Sequence, residues 1–221
     1  NAMKNLKSNI FFKIGVIIIL TLILLIPTTL VQGLIHEREN VQSEAINEVS
    51  SKWGNSQTVT GPFISIPYKK YVKRVENDSV YFRTVKEWAH FLPEQLTING
   101  DVAPEKKHRG IFDVVVYQSI LDVEGEFNTF DFDELGILPK DVLYDQATLN
   151  VGVSDLRGIE TQIGLDWNNE ESFFKPGTST DDIVESGINA NVIIDSKDST
   201  NYNFNLKLDL KGSQKLYFVP V

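Results

Sequence analysis

IGVIIILTLILLIPTTLVQGLI, residues 14–35, runs for 22 positions without a charged side chain. As an α-helix at about 1.5 Å per residue it reaches about 33 Å, enough to cross a hydrocarbon core of about 30 Å. The chain therefore reads as one anchor carrying a water-soluble body. Pro27 removes one helical N–H inside the run, and Thr28 and Thr29 stand beside it with hydroxyls that can meet a freed carbonyl. The run is too long for the apolar core of a cleaved signal peptide, and Thr28 to Gly33 offers no small-residue cleavage site. An uncleaved anchor is expected.

Residues 1–13 form a basic leader with Lys4, Lys7 and Lys13; Asn1 and Ala2, ahead of Met3, read as a tag remnant. Arg38 and Lys52 follow the run. Three cations before against two after favour the leader in the cytoplasm and the body outside. The chain of 221 residues has a net charge of -9, and +3 on the leader leaves -12 on the rest. An acidic body argues against nucleic acid as partner and against attachment to anionic headgroups, leaving the anchor as the contact with lipid. Cysteine is absent, which excludes a disulfide scaffold and thiolate chemistry.

Residues 36–54 predict a juxtamembrane helix continuing the anchor. Val41, Ala45, Val49 and Trp53 recur every four residues as a stripe, a candidate face for a partner protein, and Gly54 supplies the stop. After Gly54 the period becomes that of strands. Residues 55–221 alternate in short runs broken by glycine, proline and polar turns, predicting a mainly β, antiparallel sandwich-like body. Gly61-Pro62 and Pro67 place the first strand at an edge or bend, and residues 76–79 read as a hairpin turn. Asn99-Gly100 reads as a turn, residues 101–108 as a loop, and Asp133 as the cap of a short helical turn. A weak echo between residues 121–125 and 208–212 raises the idea of two β lobes, with a boundary near 140–150.

His36, His90 and His108 have no ligand spacing, and no phosphate loop, nucleophile elbow or zinc-protease motif occurs, so no cofactor or metal is expected. Asp131, Asp133 and Glu134 read as a capped turn more readily than as a calcium loop. Ser154, Asp155 and Arg157 combine a hydroxyl, a carboxylate and a cation without a neighbouring base. The expected role is a turn held by a buried Asp–Arg pair, with Gly158 supplying an unusual backbone angle and Arg109 repeating the device. Arg157→Ala is then expected to fold poorly.

Glu37-Arg38, Trp53-Gly54, Gln57, Gly61-Pro62 and Pro67-Tyr68 together resemble the start of the CreD family of bacterial inner-membrane proteins. The resemblance continues through Leu92-Pro93, Arg109-Gly110-Ile111-Phe112, Val116-Tyr117, Gly125-x-Phe127, Asp155-Leu156-Arg157-Gly158-Ile159, Pro176-Gly177 and Phe218-Val219-Pro220. Phe112 and Leu156 depart from its usual pattern. Relatives of this type run on into further membrane helices, so a piece of a longer protein is expected. The resemblance implies a non-enzymatic envelope component tied to envelope stress, with unidentified protein partners. Two alternatives stand beside it. One is a binding module for an apolar envelope ligand, marked by an enclosed apolar pocket. The other is a periplasmic hydrolase, marked by a cleft gathering Ser154, a histidine and a carboxylate.

Overall fold

The computed structural model describes residues 10–76, 79–159, 161–195 and 201–219. The leader's Lys4 and Lys7, the turn residues Asn77-Asp78 and the closing Pro220 lie outside the described residues. A single helix, α1 (Ile10–Trp53), joins the apolar run to the expected juxtamembrane helix without a break. The Thr28 and Thr29 hydroxyls donate to the Leu24 and Ile26 carbonyls, at 3.0 and 2.8 Å. Pro27 instead frees the carbonyl of Ile23, four residues back. The chain divides into two compact units after Glu48, so the helix's last turn from Val49 belongs to the body.

The described part of the body folds into β1 (Gln57–Glu76), β2 (Ser79–Phe91), β3 (Gln95–Arg109), β4 (Phe112–Phe127), β5 (Thr148–Val153), β6 (Gly164–Trp167), β7 (Glu170–Phe173), β8 (Lys175–Pro176), β9 (Gly187–Asn191), β10 (Tyr202–Ser213) and β11 (Leu216–Val219). One sheet runs β11-β1-β5-β9-β8 with β2 also on β1; the other runs β3-β4-β10-β6-β7. All pairings are antiparallel except β1 with β11, which returns the chain's end to lie parallel to the start of the body.

Strand periodicity explains the layers. Along β10, Tyr202, Phe204, Leu206, Leu208 and Leu210 are buried while Asn203, Asn205 and Lys207 face water. Such side chains contribute about 1.5–3 kcal/mol each on burial. They meet Ile64 and Ile66 of β1 and Leu149 and Val151 of β5 in one core between the sheets. The mainly β, sandwich-like reading of the sequence describes this body.

Several local expectations change. Residues 101–108 are strand, not loop, because β3 and β4 pair continuously from Gln95↔Glu126 to Arg109↔Phe112. Asn99-Gly100 therefore lies within the ladder, and the turn sits at Gly110, with φ of 60°. Asp131 caps the turn before Gly136, accepting from the Glu134 N–H at 3.0 Å, in place of Asp133. The echoing segments are neighbours in one sheet, Leu121 facing Leu208.

Candidate functional site

Gln57, the first residue of β1, is completely buried. A buried primary amide needs two acceptors and a donor. Its Nε2 donates to the carbonyls of Asp155 and Lys211, at 2.8 and 3.0 Å. Its Oε1 accepts from the Asp155 N–H at 3.1 Å and the Ser154 hydroxyl at 3.3 Å. One side chain thus ties together the start of β1, the turn after β5 and the end of β10.

Asp155 continues the knot. Both carboxylate oxygens engage Arg157, from Nε at 2.9 Å and from an η nitrogen at 2.7 Å, and the Arg157 and Asn55 N–H groups add two more bonds. The Arg157 guanidinium, followed by those N–H groups, holds the Asp155 carboxyl down at about 2 although burial opposes it. The pair is not wholly buried: Asp155 is 9% exposed and Arg157 55%. Gly158 does not adopt a left-handed backbone. Glycine is needed there because a Cβ would lie 2.2 Å from the Lys211 carbonyl and 2.4 Å from the Gln57 amide nitrogen. Arg109 lies elsewhere, at the exposed end of the β3–β4 hairpin opposite Phe112.

The helix end completes the cluster. Trp53 donates from Nε1 to the Tyr117 carbonyl at 3.1 Å, and the ammonium groups of Lys107 and Lys211 lie 4.7 and 4.9 Å from its ring. Ser50 and Ser213 share a buried hydroxyl contact of 2.8 Å. The Tyr117 hydroxyl donates to the Lys215 carbonyl at 2.8 Å, and burial pushes its pKa up to about 12. Gly54 ends the helix at φ 122°, where a Cβ would crowd the Lys211 carbonyl at 2.8 Å.

The fold therefore brings Trp53, Gly54, Gln57, Asp155, Arg157 and Gly158 into one place. It leaves the other singled-out residues elsewhere. Gly61-Pro62 is a cis peptide at the irregularity between Thr60 and Phe63 of β1. The Pro67 carbonyl accepts from Leu143, and the Tyr68 hydroxyl donates to Glu87 at 3.1 Å. Arg109 and Gly110 sit at a hairpin tip. Glu37, Arg38 and Val41 are exposed on the helix and Ala45 is buried, while Val49 and Trp53 lie in the last turn that belongs to the body. Ser50, Asn55, Lys211 and Ser213 escaped sequence reading, because ordinary polar residues at strand and helix ends carry no pattern. The register between β4 and β10 places Lys211 and Ser213, which meet Trp53 and Ser50.

A second polar cluster lies on the outer side of β1 and β5, under residues 177–186. Ser65 is fully buried and its hydroxyl sits 2.9 Å from His90 Nδ1, while His90 Nε2 sits 3.4 Å from Asp182. Asn150 donates to Ser65 at 3.0 Å and accepts from the Ser179 N–H and hydroxyl. Serine, histidine and aspartate are aligned, but the serine is sealed beneath the covering segment. Ser154, by contrast, spends its hydroxyl on Thr58, Ser56 and Gln57. Among the described residues no group of three or more His, Asp or Glu side chains could hold a metal ion.

A groove of about 640 Å³ crosses the outer face of the β3–β4–β10–β6 sheet, lined by polar residues including Glu124, Asp166, Asn203 and Asn205. It is not the enclosed apolar pocket that a ligand carrier would need.

The profile of the family described as "Inner membrane protein CreD" matches residues 9–221. The inner membrane protein CreD of Escherichia coli strain K12 is 27% identical over 218 residues, covering 97% of this chain and 47% of that protein. The chain thus spans about half the length of the curated relative it matches. No solved structure matches it.

Proposed function

From the premise that this chain belongs to the CreD family of inner membrane proteins, we propose that it is a membrane-anchored envelope component working by contact, without catalysis. In this reading the leader is cytoplasmic, the β body stands in the periplasm, and the body passes the state of the envelope to partner proteins. The observation that carries the reading is the knot at Gln57, Asp155 and Trp53. It fixes the last turn of the helix, itself part of the body, to β3, β4 and β10, so the chain enters the body through packed structure and not through a loose linker. A firmly held point of entry suits bracing or signalling, and an enzyme domain would work equally well on a flexible tether.

The experiment is photo-crosslinking in cells from Val41, in the full-length protein, with and without envelope stress. Val41 is exposed on the helix outside the knot. A defined protein adduct that changes with stress is expected. No adduct at Val41 or at exposed body positions under either condition overturns the reading. Orientation is tested separately with Asn99→Cys and a membrane-impermeant maleimide. Labelling that requires cell lysis would put the body in the cytoplasm.

A further inference from the structure

Past Ser65, β1 loses β5 and continues as a two-stranded ribbon with β2, ending at the pair Glu76↔Ser79. At about 3.4 Å per residue, the paired length from Lys69 to Glu76 extends about 24 Å. Near its base, Tyr71 bonds Asp141 at 2.9 Å and Lys86 bonds Gln146 at 2.9 Å. Among the described residues the outer half makes no such bond to the rest of the body.

Its composition differs from the rest of the chain. Residues 69–86 carry Lys69, Lys70, Lys73, Arg74, Arg83 and Lys86 against Glu76 and Asp78, a net +4 on a chain of net -9. Lys70 pairs with Glu87. Lys69, Lys73, Arg74 and Arg83 form no ion pair with any described residue. Direct cross-strand partners share a face. Lys73 lies opposite Phe82 and Val75 opposite Val80, so these four share one face with Lys69, while Arg74 and Arg83 project from the other face of the ribbon. Phe82 is 68% exposed, Val75 65% and Val80 55%. A ribbon whose only need was solubility would not keep these three side chains in water at its far end.

We propose that the outer half of this ribbon is a membrane-surface contact. The ribbon meets the bilayer by its tip: Phe82, Val75 and Val80 seat in the boundary, and anionic lipid headgroups are recognised by Lys69 and Lys73 on their face and by Arg74 and Arg83 on the other. Charge complementarity selects this occupant. The ribbon is basic on an acidic body, long side chains reach headgroups while their stems cover apolar surface, and Phe82 adds area that an acidic soluble partner would not require. The helix on the same chain tethers the ribbon to a bilayer, so the encounter is intramolecular. The acidic total of the body concealed this arm, because net charge averages over faces that meet different surroundings.

The test uses the whole chain reconstituted in vesicles of phosphatidylcholine alone or mixed with phosphatidylglycerol. The chain has no cysteine, so Val80→Cys provides one attachment point for a polarity-sensitive fluorophore, with Asn99→Cys on β3 as control. The expected result is a blue shift at Val80 and quenching by headgroup-nitroxide lipid only with phosphatidylglycerol, reversed in ~0.5 M salt. The triple variant Lys73→Glu, Arg74→Glu, Arg83→Glu should lose the shift, and Phe82→Ser should weaken it with its salt dependence intact. Near-UV dichroism confirms that each variant is folded. Equal spectra in the two lipids, or a shift that survives charge reversal, overturns the proposal. A shift seen only in native membranes, and absent from protein-free vesicles, assigns the ribbon to an acidic protein and overturns it as well.

Discussion

The side-chain amide of Gln57 pairs with the main chain of Asp155 as a second backbone would, donating to its carbonyl at 2.8 Å and accepting from its N–H at 3.1 Å. A strand pairing that backbone alone would have made is completed by a side chain, which lets the turn after β5 and the end of β10 share one buried partner.

Gln57→Ala should therefore be costly. It strands the Asp155 N–H and the carbonyls of Asp155 and Lys211 in a buried site, at about 1–3 kcal/mol for each group left unmet, partly recovered by water. A loss of about 2–4 kcal/mol in denaturant unfolding of the detergent-solubilised chain is expected. A loss under 1 kcal/mol would mean the knot tolerates water, and its rigidity would be in doubt.

Gly158→Ala should destabilise the body strongly, since the new Cβ would meet the Lys211 carbonyl at 2.2 Å, whereas Gly164→Ala meets nothing within 4 Å. The expected difference between the two variants is at least about 2 kcal/mol. Thermal melts of the pair, compared in one detergent, decide it.

Asp155 predicts the acid limb of stability. Its carboxyl titrates at about 2 when folded against 3.8 ordinarily, so the unfolded chain binds the extra proton as pH falls. The stabilisation is fully present above about pH 4 and is lost as pH drops towards 2. Solvent around Arg157 screens the pair, so the effect is about 1–2 kcal/mol. Asp155→Asn should flatten the stability profile between pH 4 and 2 and leave the region above it parallel to wild type. Arg157→Ala, removing the exposed partner while both N–H bonds to Asp155 remain, should cost less than Asp155→Ala and still fold.

Asn150→Ala should loosen residues 177–186. The Asn150 carbonyl oxygen holds both the N–H and hydroxyl of Ser179. Hydrogen exchange in 178–186 should accelerate by about tenfold or more, from a loss of roughly 1–3 kcal/mol in local closure. Exchange in β4 and β10 should change little. Uniform acceleration would mean that the segment does not open separately.

Much of the architecture was legible because it rests on local periodicity. A run from Ile14 to Ile35 is apolar on every side, and only a helix satisfies its backbone in lipid. The alternation from Tyr202 to Leu210 has one wet face and one dry, so it fixes which side of β10 meets the core. Residues 101–108 misled because an exposed hairpin arm has no dry face. Its strand character comes from pairing with β4, which composition does not reveal.

The candidate site was half legible. Trp53, Gln57, Asp155, Arg157 and Gly158 stood out singly, and the Asp155–Arg157 pair is two residues apart, close enough to read from spacing. That Gln57 reaches Asp155, 98 positions away, depends on where β1, β5 and β10 end relative to one another. Gly158 appeared to need a special backbone angle; what it needs is room beside Lys211. The anchor, the β class and the unusual residues are legible in the chain because each follows from interactions between near neighbours. Which of them share a site, and the gathering of basic and apolar residues of β1 and β2 on one exposed ribbon, emerge only on folding. Strand register sets both, and register is fixed by long-range packing that no local window contains.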